Sequence, residues 1–140
     1  MKKQLLALAI TAIATSGAFA QATDTLAKLK DSGKISLGVR DSSALSFTLG
    51  NGKYVGFHTE MAERIVDDLN KATGKTLAIT YTPVTSQNRI PLVQNGTVDL
   101  ECGSTTNNMA RQKDVAFAVT TYMEEVRIAT KANSGIAGIK

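Results

Sequence analysis

Residues 77–111, LAITYTPVTSQNRIPLVQNGTVDLECGSTTNNMAR, decide the fold. Leu77 to Tyr81 is rich in β-formers and reads as a strand. After Thr82-Pro83, Ser86 or Asn88 caps a short helix running to about Gln94. Pro91 falls in its first turn, where a missing N–H costs nothing. Asn95-Gly96 stops the helix, and Val98 to Cys102 reads as the next strand. A strand, a short helix and a strand make a βαβ unit, whose strands lie parallel with a right-handed crossover.

Upstream the same unit recurs. Residues 23–32 read as a short amphipathic helix with Leu26 and Leu29 on one face, capped by Thr23 or Asp24 and ended by Gly33. Ile35 to Val39 is an apolar strand, with Arg40 at its carboxyl end. Gly50-Asn51-Gly52-Lys53 is a turn signal, and Leu45–Leu49 and Tyr54–Phe57 beside it form a hairpin-like excursion. Thr59 to Lys71 is the clearest helix: Met61, Ala62, Ile65, Val66 and Leu69 share a face, and the acidic residues off it form a solvated face rather than a metal site. Gly74 ends it. Downstream, Asn107–Lys113 reads as another short helix and Glu124–Thr130 as a strand.

The expected fold is α/β, with a mainly parallel sheet flanked by helices. Three parallel strands over residues 35–102 bring their carboxyl ends to one edge, where α/β folds bind ligands. Arg40 follows the first strand, Ser86 and Arg89 the second, and Ser104 and Thr106 the third, and the polar stretch ends on Arg111. Guanidinium forks bind carboxylates and phosphates, and short hydroxyls add neutral donors. Helix amino ends on the same edge favour anions. The phosphate loop GxxxxGK[ST] and the dinucleotide fingerprint GxGxxG are both absent, which favours a carboxylate over a nucleotide.

The first twenty residues, MKKQLLALAITAIATSGAFA, have a basic start, an apolar centre and a small-x-small end. They read as a secretory signal peptide cut after Ala20, with an uncleaved anchor as the alternative. Loss of Lys2 and Lys3, with no acid, takes the formal charge from +4 to +2. With no basic run and few aromatics, a nucleic-acid surface is not indicated. Cys102, the single cysteine, ends an apolar run and reads as a buried, inert thiol. His58, the single histidine, lies far from it in sequence, so no nucleophilic pair is assigned.

The segments LGVRDSS (37–43), TSQNRIPLVQNGTVDLECGSTTNN (85–108) and RQKDVAF (111–117) resemble the periplasmic amino-acid-binding proteins of ABC transporters, nearest their glutamate/aspartate-binding branch. The resemblance covers residues 24–135. It implies two lobes closing on a ligand, of which this chain carries the first. It implies that Arg111 with Thr106 holds the ligand α-carboxylate, that Ser104 helps bind the α-amino group, and that Arg40, Ser86 and Arg89 hold the side-chain carboxylate. It implies L-glutamate or L-aspartate as ligand, an inner-membrane ABC permease as partner, a periplasmic location, a monomer when full length, and neither catalytic residues, metal nor cofactor.

The expected organisation is a signal peptide over 1–20, an incomplete lobe one over 21–130, and the start of a crossover to a second lobe over 131–140. Such a fragment is expected not to be binding-competent alone. A sensory ligand-binding domain of the same fold is the alternative, and an enzyme carrying this lobe, a dehydratase or cell-wall lyase, a further one. Glu101 and Asp41 are poor candidates for general acid or base. Two departures stand out. His58 occupies a position where many members have Asp, and reads as solvated or capping rather than ligand-binding. Met109-Ala110 replaces a Glu often found before the arginine.

Overall fold

The computed structural model describes residues 24–41, 44–125, 127–136 and 138. The leader-like stretch 1–20 lies outside them. Helix α1, Thr25–Ser32, starts at Asp24, whose Oδ1 accepts the N–H groups of Leu26 (3.0 Å) and Ala27 (3.2 Å). Two of the four donors left free at a helix start are thereby satisfied. Gly33 ends it at φ 65°, a left-handed cap that glycine adopts without a Cβ penalty.

The chain then forms β1 (Lys34–Val39), β2 (Phe47–Gly50), β3 (Lys53–Val55), α2 (Phe57–Thr73), β4 (Ala78–Pro83), α3 (Arg89–Gln94) and β5 (Leu100–Glu101). The main sheet has the order β4-β1-β5, all parallel. β1 is central and pairs with β4 from Lys34↔Ala78 to Val39↔Pro83, and with β5 at Leu37↔Leu100 and Gly38↔Glu101. The two expected βαβ units are both present. The β2–β3 hairpin between β1 and α2 is antiparallel, with a register irregularity between Thr48 and Gly50.

Leu29 of α1, Ile35 and Leu37 of β1, Ala62 and Val66 of α2, and Leu77 form one buried cluster. Leu69, Ile79, Tyr81, Leu100 and Cys102 pack around it. Helices α1 and α2 therefore share one face of the sheet. Strand alternation turns Gly38 to the opposite face, towards Val98 and Glu101.

Several boundaries differ from the sequence reading. α2 begins at Phe57, two residues before the expected Thr59. Gly56 caps it at φ 123°, and the His58 N–H finds Leu45 O at 2.8 Å. His58 is buried rather than solvated, with Nε2 3.3 Å from Thr121 Oγ1. Asn88 occupies the cap position of α3, but its side chain turns back to accept the Thr85 N–H at 2.7 Å, and Ser86 lies outside the helix.

β5 is two residues long rather than five. At its start the Val98 N–H is taken by Leu92 O, and Asp99 Oδ2 accepts the Ser36 N–H in place of a ladder carbonyl. Residues 107–113 hold only a 3-10 turn, Arg111–Lys113, because the segment has no apolar face to bury: Met109 is 83% exposed. Residues 124–130 form no strand among the described residues, where no neighbouring strand offers them a ladder; Val126 lies outside the description. No helix among the described residues is long and apolar enough to cross a membrane.

Candidate anion-binding site

The carboxyl ends of β1, β4 and β5 point the same way, so the segments that follow them meet at one edge. Arg40 comes directly after β1, and its Nη1 donates to Ser86 Oγ at 2.9 Å. Ser86 lies in the turn between β4 and α3. Arg89, the first residue of α3, reaches the same oxygen through Nη2 at 3.4 Å. Two guanidinium groups from different segments thus converge on one hydroxyl.

The burial of these groups differs. Arg89 is only 5% exposed, whereas Arg40 and Arg111 are half-buried and Ser86, Ser104 and Thr106 are open to solvent. Burial lowers the pKa of Arg89 from its ordinary value; Glu101 opposes that shift, while Arg40 and Arg111 reinforce it. The three arginines therefore feel one another's fields, as cations gathered at one site must.

Arg111 sits in the 3-10 turn after β5. Its Nη1 donates to the Thr106 carbonyl oxygen at 2.9 Å, and its backbone N–H to Asn108 Oδ1 at 3.0 Å. The contact to Thr106 is through the backbone, so the Thr106 hydroxyl stays available. The loop 103–108 is thereby tied back onto the arginine that follows it.

Glu101 and Thr105 belong to the same cluster, and the sequence reading gave them no binding role. Arg89 Nη1 donates to Thr105 Oγ1 at 2.6 Å, and Thr105 Oγ1 donates to Glu101 Oε2 at 2.7 Å. Glu101 Oε1 stands 3.8 Å from Arg89 Nη1. A signal for this was present: an acid inside the run Val98–Cys102 alternates with Leu100, so it must leave the core face and needs a buried counter-ion on the other. Cys102 is mostly buried, and burial followed by the nearby Glu101 pushes its thiol up to about 11.

The edge therefore offers two partly open guanidinium groups, one buried guanidinium, and the hydroxyls of Ser86, Ser104 and Thr106. Such a donor set can complement a small ligand with more than one anionic group. Among the described residues no group of His, Cys, Asp and Glu could hold a metal ion.

The family model for bacterial extracellular solute-binding proteins, family 3, matches residues 35–137. The chain belongs to the bacterial extracellular solute-binding proteins, family 3. This family 3 chain is 43% identical over 139 residues to the glutamate/aspartate import solute-binding protein of Escherichia coli K12, an alignment covering 93% of this chain and 46% of that protein. It is 45% identical over 117 residues to the L-glutamate/L-aspartate-binding protein of Pseudomonas aeruginosa, covering 81% of this chain and 39% of that one. It thus spans less than half the length of these relatives.

Among solved structures, the family 3 lobe matches a solute receptor for L-cysteine of Neisseria gonorrhoeae with a TM-score of 0.59 at 29% identity, over 67% of this chain and 37% of that one. It also matches the arginine-bound form of domain 1 from TmArgBP, with a TM-score of 0.59 at 23% identity, over 69% of this chain and 71% of that one. The second match supports the single-lobe architecture alone.

Proposed function

We propose that this chain is the first lobe of a periplasmic solute-binding protein that delivers L-glutamate or L-aspartate to an inner-membrane ABC permease. The observation that carries the reading is the convergence of Arg40 and Arg89 on Ser86 Oγ, with Arg111 on the same sheet edge. An acidic amino acid has two carboxylates, and this edge has cations for both. The names of the two relatives from E. coli and P. aeruginosa agree with it.

In this reading Arg111 and the Thr106 hydroxyl hold the α-carboxylate, and Ser104 helps bind the α-amino group. Arg40 and Ser86 meet the side-chain carboxylate directly. Arg89 lies beneath them and adds its charge through Ser86. Residues 1–20 act as a cleaved signal peptide, 21–130 form the lobe, and 131–140 start a crossover to a second lobe. The complete protein works as a monomer, without nucleic acid. Binding rather than catalysis is the reading: the acid nearest the cluster, Glu101, is engaged by Arg89 and Thr105.

This chain alone touches the ligand from one side, where exposed ion pairs contribute only about 0–1 kcal/mol each. Association costs of roughly 4–15 kcal/mol oppose them. We therefore expect binding no tighter than about the millimolar range. The experiment follows the amide shifts of this chain on addition of glutamate, aspartate and glutamine. Glutamate and aspartate should move Arg40, Ser86, Thr106 and Arg111, and glutamine should leave Arg40 and Ser86 in place. Equal responses to glutamate and glutamine would overturn the acidic-ligand assignment, and saturation at micromolar glutamate would show that one lobe suffices.

A further inference from the structure

The buried Arg89 guanidinium faces a carboxylate that the chain itself supplies. Glu101 lies beside Gly38 in the sheet register. A Cβ on Gly38 would stand 3.1 Å from Glu101 Cγ, and one on Gly103 would stand 2.3 Å from Glu101 Oε1. Two residues without side chains therefore clear the slot in which this carboxylate lies. Within it the Glu101 side chain is 9% exposed and that of Arg89 6%.

The two groups are close without being clasped. At 3.8 Å the Nη1–Oε1 approach is an ion pair beyond hydrogen-bond length. The hydrogen-bonded link runs through Thr105 Oγ1, which accepts from Arg89 and donates to Glu101. Arg89 Nε and Glu101 Oε1 are both buried and without a hydrogen-bond partner. A buried polar group is normally satisfied, so this pair holds unused donor and acceptor capacity at the edge of the anion site. Ser86 connects it to Arg40.

We infer that Glu101 is a positioning residue for this site: a resident carboxylate that neutralises and orients Arg89 while the site is empty, and that competes with an incoming carboxylate for it. A buried guanidinium without a counter-ion is strongly unfavourable, so the empty site needs Glu101. The same carboxylate offsets one of the three positive charges of Arg40, Arg89 and Arg111. The site then meets a ligand with two net positive charges rather than three, at the expense of affinity for anions. Where the ligand is an acidic amino acid this rests on the function proposed above, but the pairing itself acts on any anion.

The test is thermal unfolding of this chain with increasing sodium sulfate and, separately, sodium glutamate at constant ionic strength. Wild type, Glu101→Gln, Glu101→Asp and Thr105→Val are compared. Glu101→Gln should melt lower without anion, and its half-maximal stabilisation by sulfate should come at about tenfold lower concentration, the scale of one charge-assisted contact. Glu101→Asp keeps the charge and should return towards wild type. Thr105→Val removes the relay but keeps the carboxylate, and should shift the midpoint in the same direction by a smaller factor.

A filler role for Glu101 predicts a lower melting point with an unchanged sulfate midpoint, and that result overturns the proposal. Should Glu101→Gln fail to fold, a Thr105→Val midpoint equal to wild type overturns it equally. A sulfate shift with no response to glutamate in any variant supports the role of Glu101 and sinks the acidic amino-acid ligand. A clear glutamate response that is equal in wild type and Glu101→Gln, with an unchanged sulfate midpoint, does the reverse.

Discussion

At the residue scale, the arginines divide by burial, and their substitutions should divide with them. In the proposed binding mode Arg111 meets the group that every amino acid carries, so Arg111→Ala should weaken all amino-acid ligands of the proposed two-lobe protein. In the same proposal Arg40 meets the side-chain carboxylate, so Arg40→Ala should weaken glutamate and aspartate selectively. Each charge-assisted contact is worth on the order of 1.5–3 kcal/mol, or about ten- to a hundredfold in Kd, which calorimetry resolves. Unchanged glutamate binding by Arg40→Ala would remove the side-chain-carboxylate pocket. Cys102 supplies a pH prediction. Its thiol is raised from 9.0 to about 11, so well below 9 it carries its proton in both folded and unfolded chains and contributes no pH dependence. Between 9 and about 11 the unfolded thiol ionises first, so stability should fall as pH rises through that window. Cys102→Ala should flatten this part of a denaturant-midpoint profile. At pH 8 only about one folded thiol in a thousand is ionised, so alkylation should be slow until the chain unfolds. A rate like that of a free thiol would show that the surroundings of Cys102 open readily.

At the scale of elements, the sequence carried the parts whose signals are local. α1 with its Asp24 cap, β1, β4 and the body of α2 are visible in periodicity, capping residues and glycine stops. The placement of the six proposed site residues near one edge is legible for the same reason: they follow strands, and parallel strands share an edge. What escaped depends on contacts far apart in sequence. The start of α2 at Phe57 rests on Leu45 O, and Gly56 allows it: φ is 123°, and a Cβ there would stand 2.7 Å from that oxygen. Nothing next to Gly56 in the chain announces this. The strand expected at Glu124–Thr130 has the right alternation but no partner, and alternation alone does not make a ladder. Gly56 offers the element-scale prediction. Gly56→Ala meets both a disfavoured φ and backbone at close range, and should cost on the order of 1–3 kcal/mol or more. Gly33→Ala meets φ 65° with open space around it, and should cost only about 1 kcal/mol. Urea melts of the two variants compare them directly, and equal losses would mean that the packing of Gly56 against Leu45 is not what anchors α2.

For the whole molecule, stability is unevenly spread. Leu29, Ile35, Leu37, Ala62, Val66 and Leu77 lie in one cluster formed by α1, β1, α2 and the residue just before β4. Residues 116–136 contribute nothing to it: no helix or strand is assigned there among the described residues, and Val119, Met123, Ile128 and Ile136 are all more than 60% exposed. Among the described residues, this segment meets the lobe where Thr121 Oγ1 lies 3.3 Å from the buried His58 ring, with Tyr122 edge-on to it at 6.5 Å between ring centres. Local opening free energy follows buried contacts and ladder hydrogen bonds, so the chain should exchange its amide hydrogens in two classes. Amides of β1 and α2 should exchange only through global unfolding, and those beyond Tyr122 close to the rate of an unfolded chain. The exposed apolar side chains have a second consequence, since surfaces of this kind drive association. Sedimentation of this chain should show a weight-average mass rising with concentration, and the double substitution Met123→Glu, Ile128→Glu should abolish the rise while leaving protection in β1 and α2 unchanged. If the segment beyond Tyr122 proved as protected as β1, it would be packed against the lobe, and its side chains could not be the surface that associates.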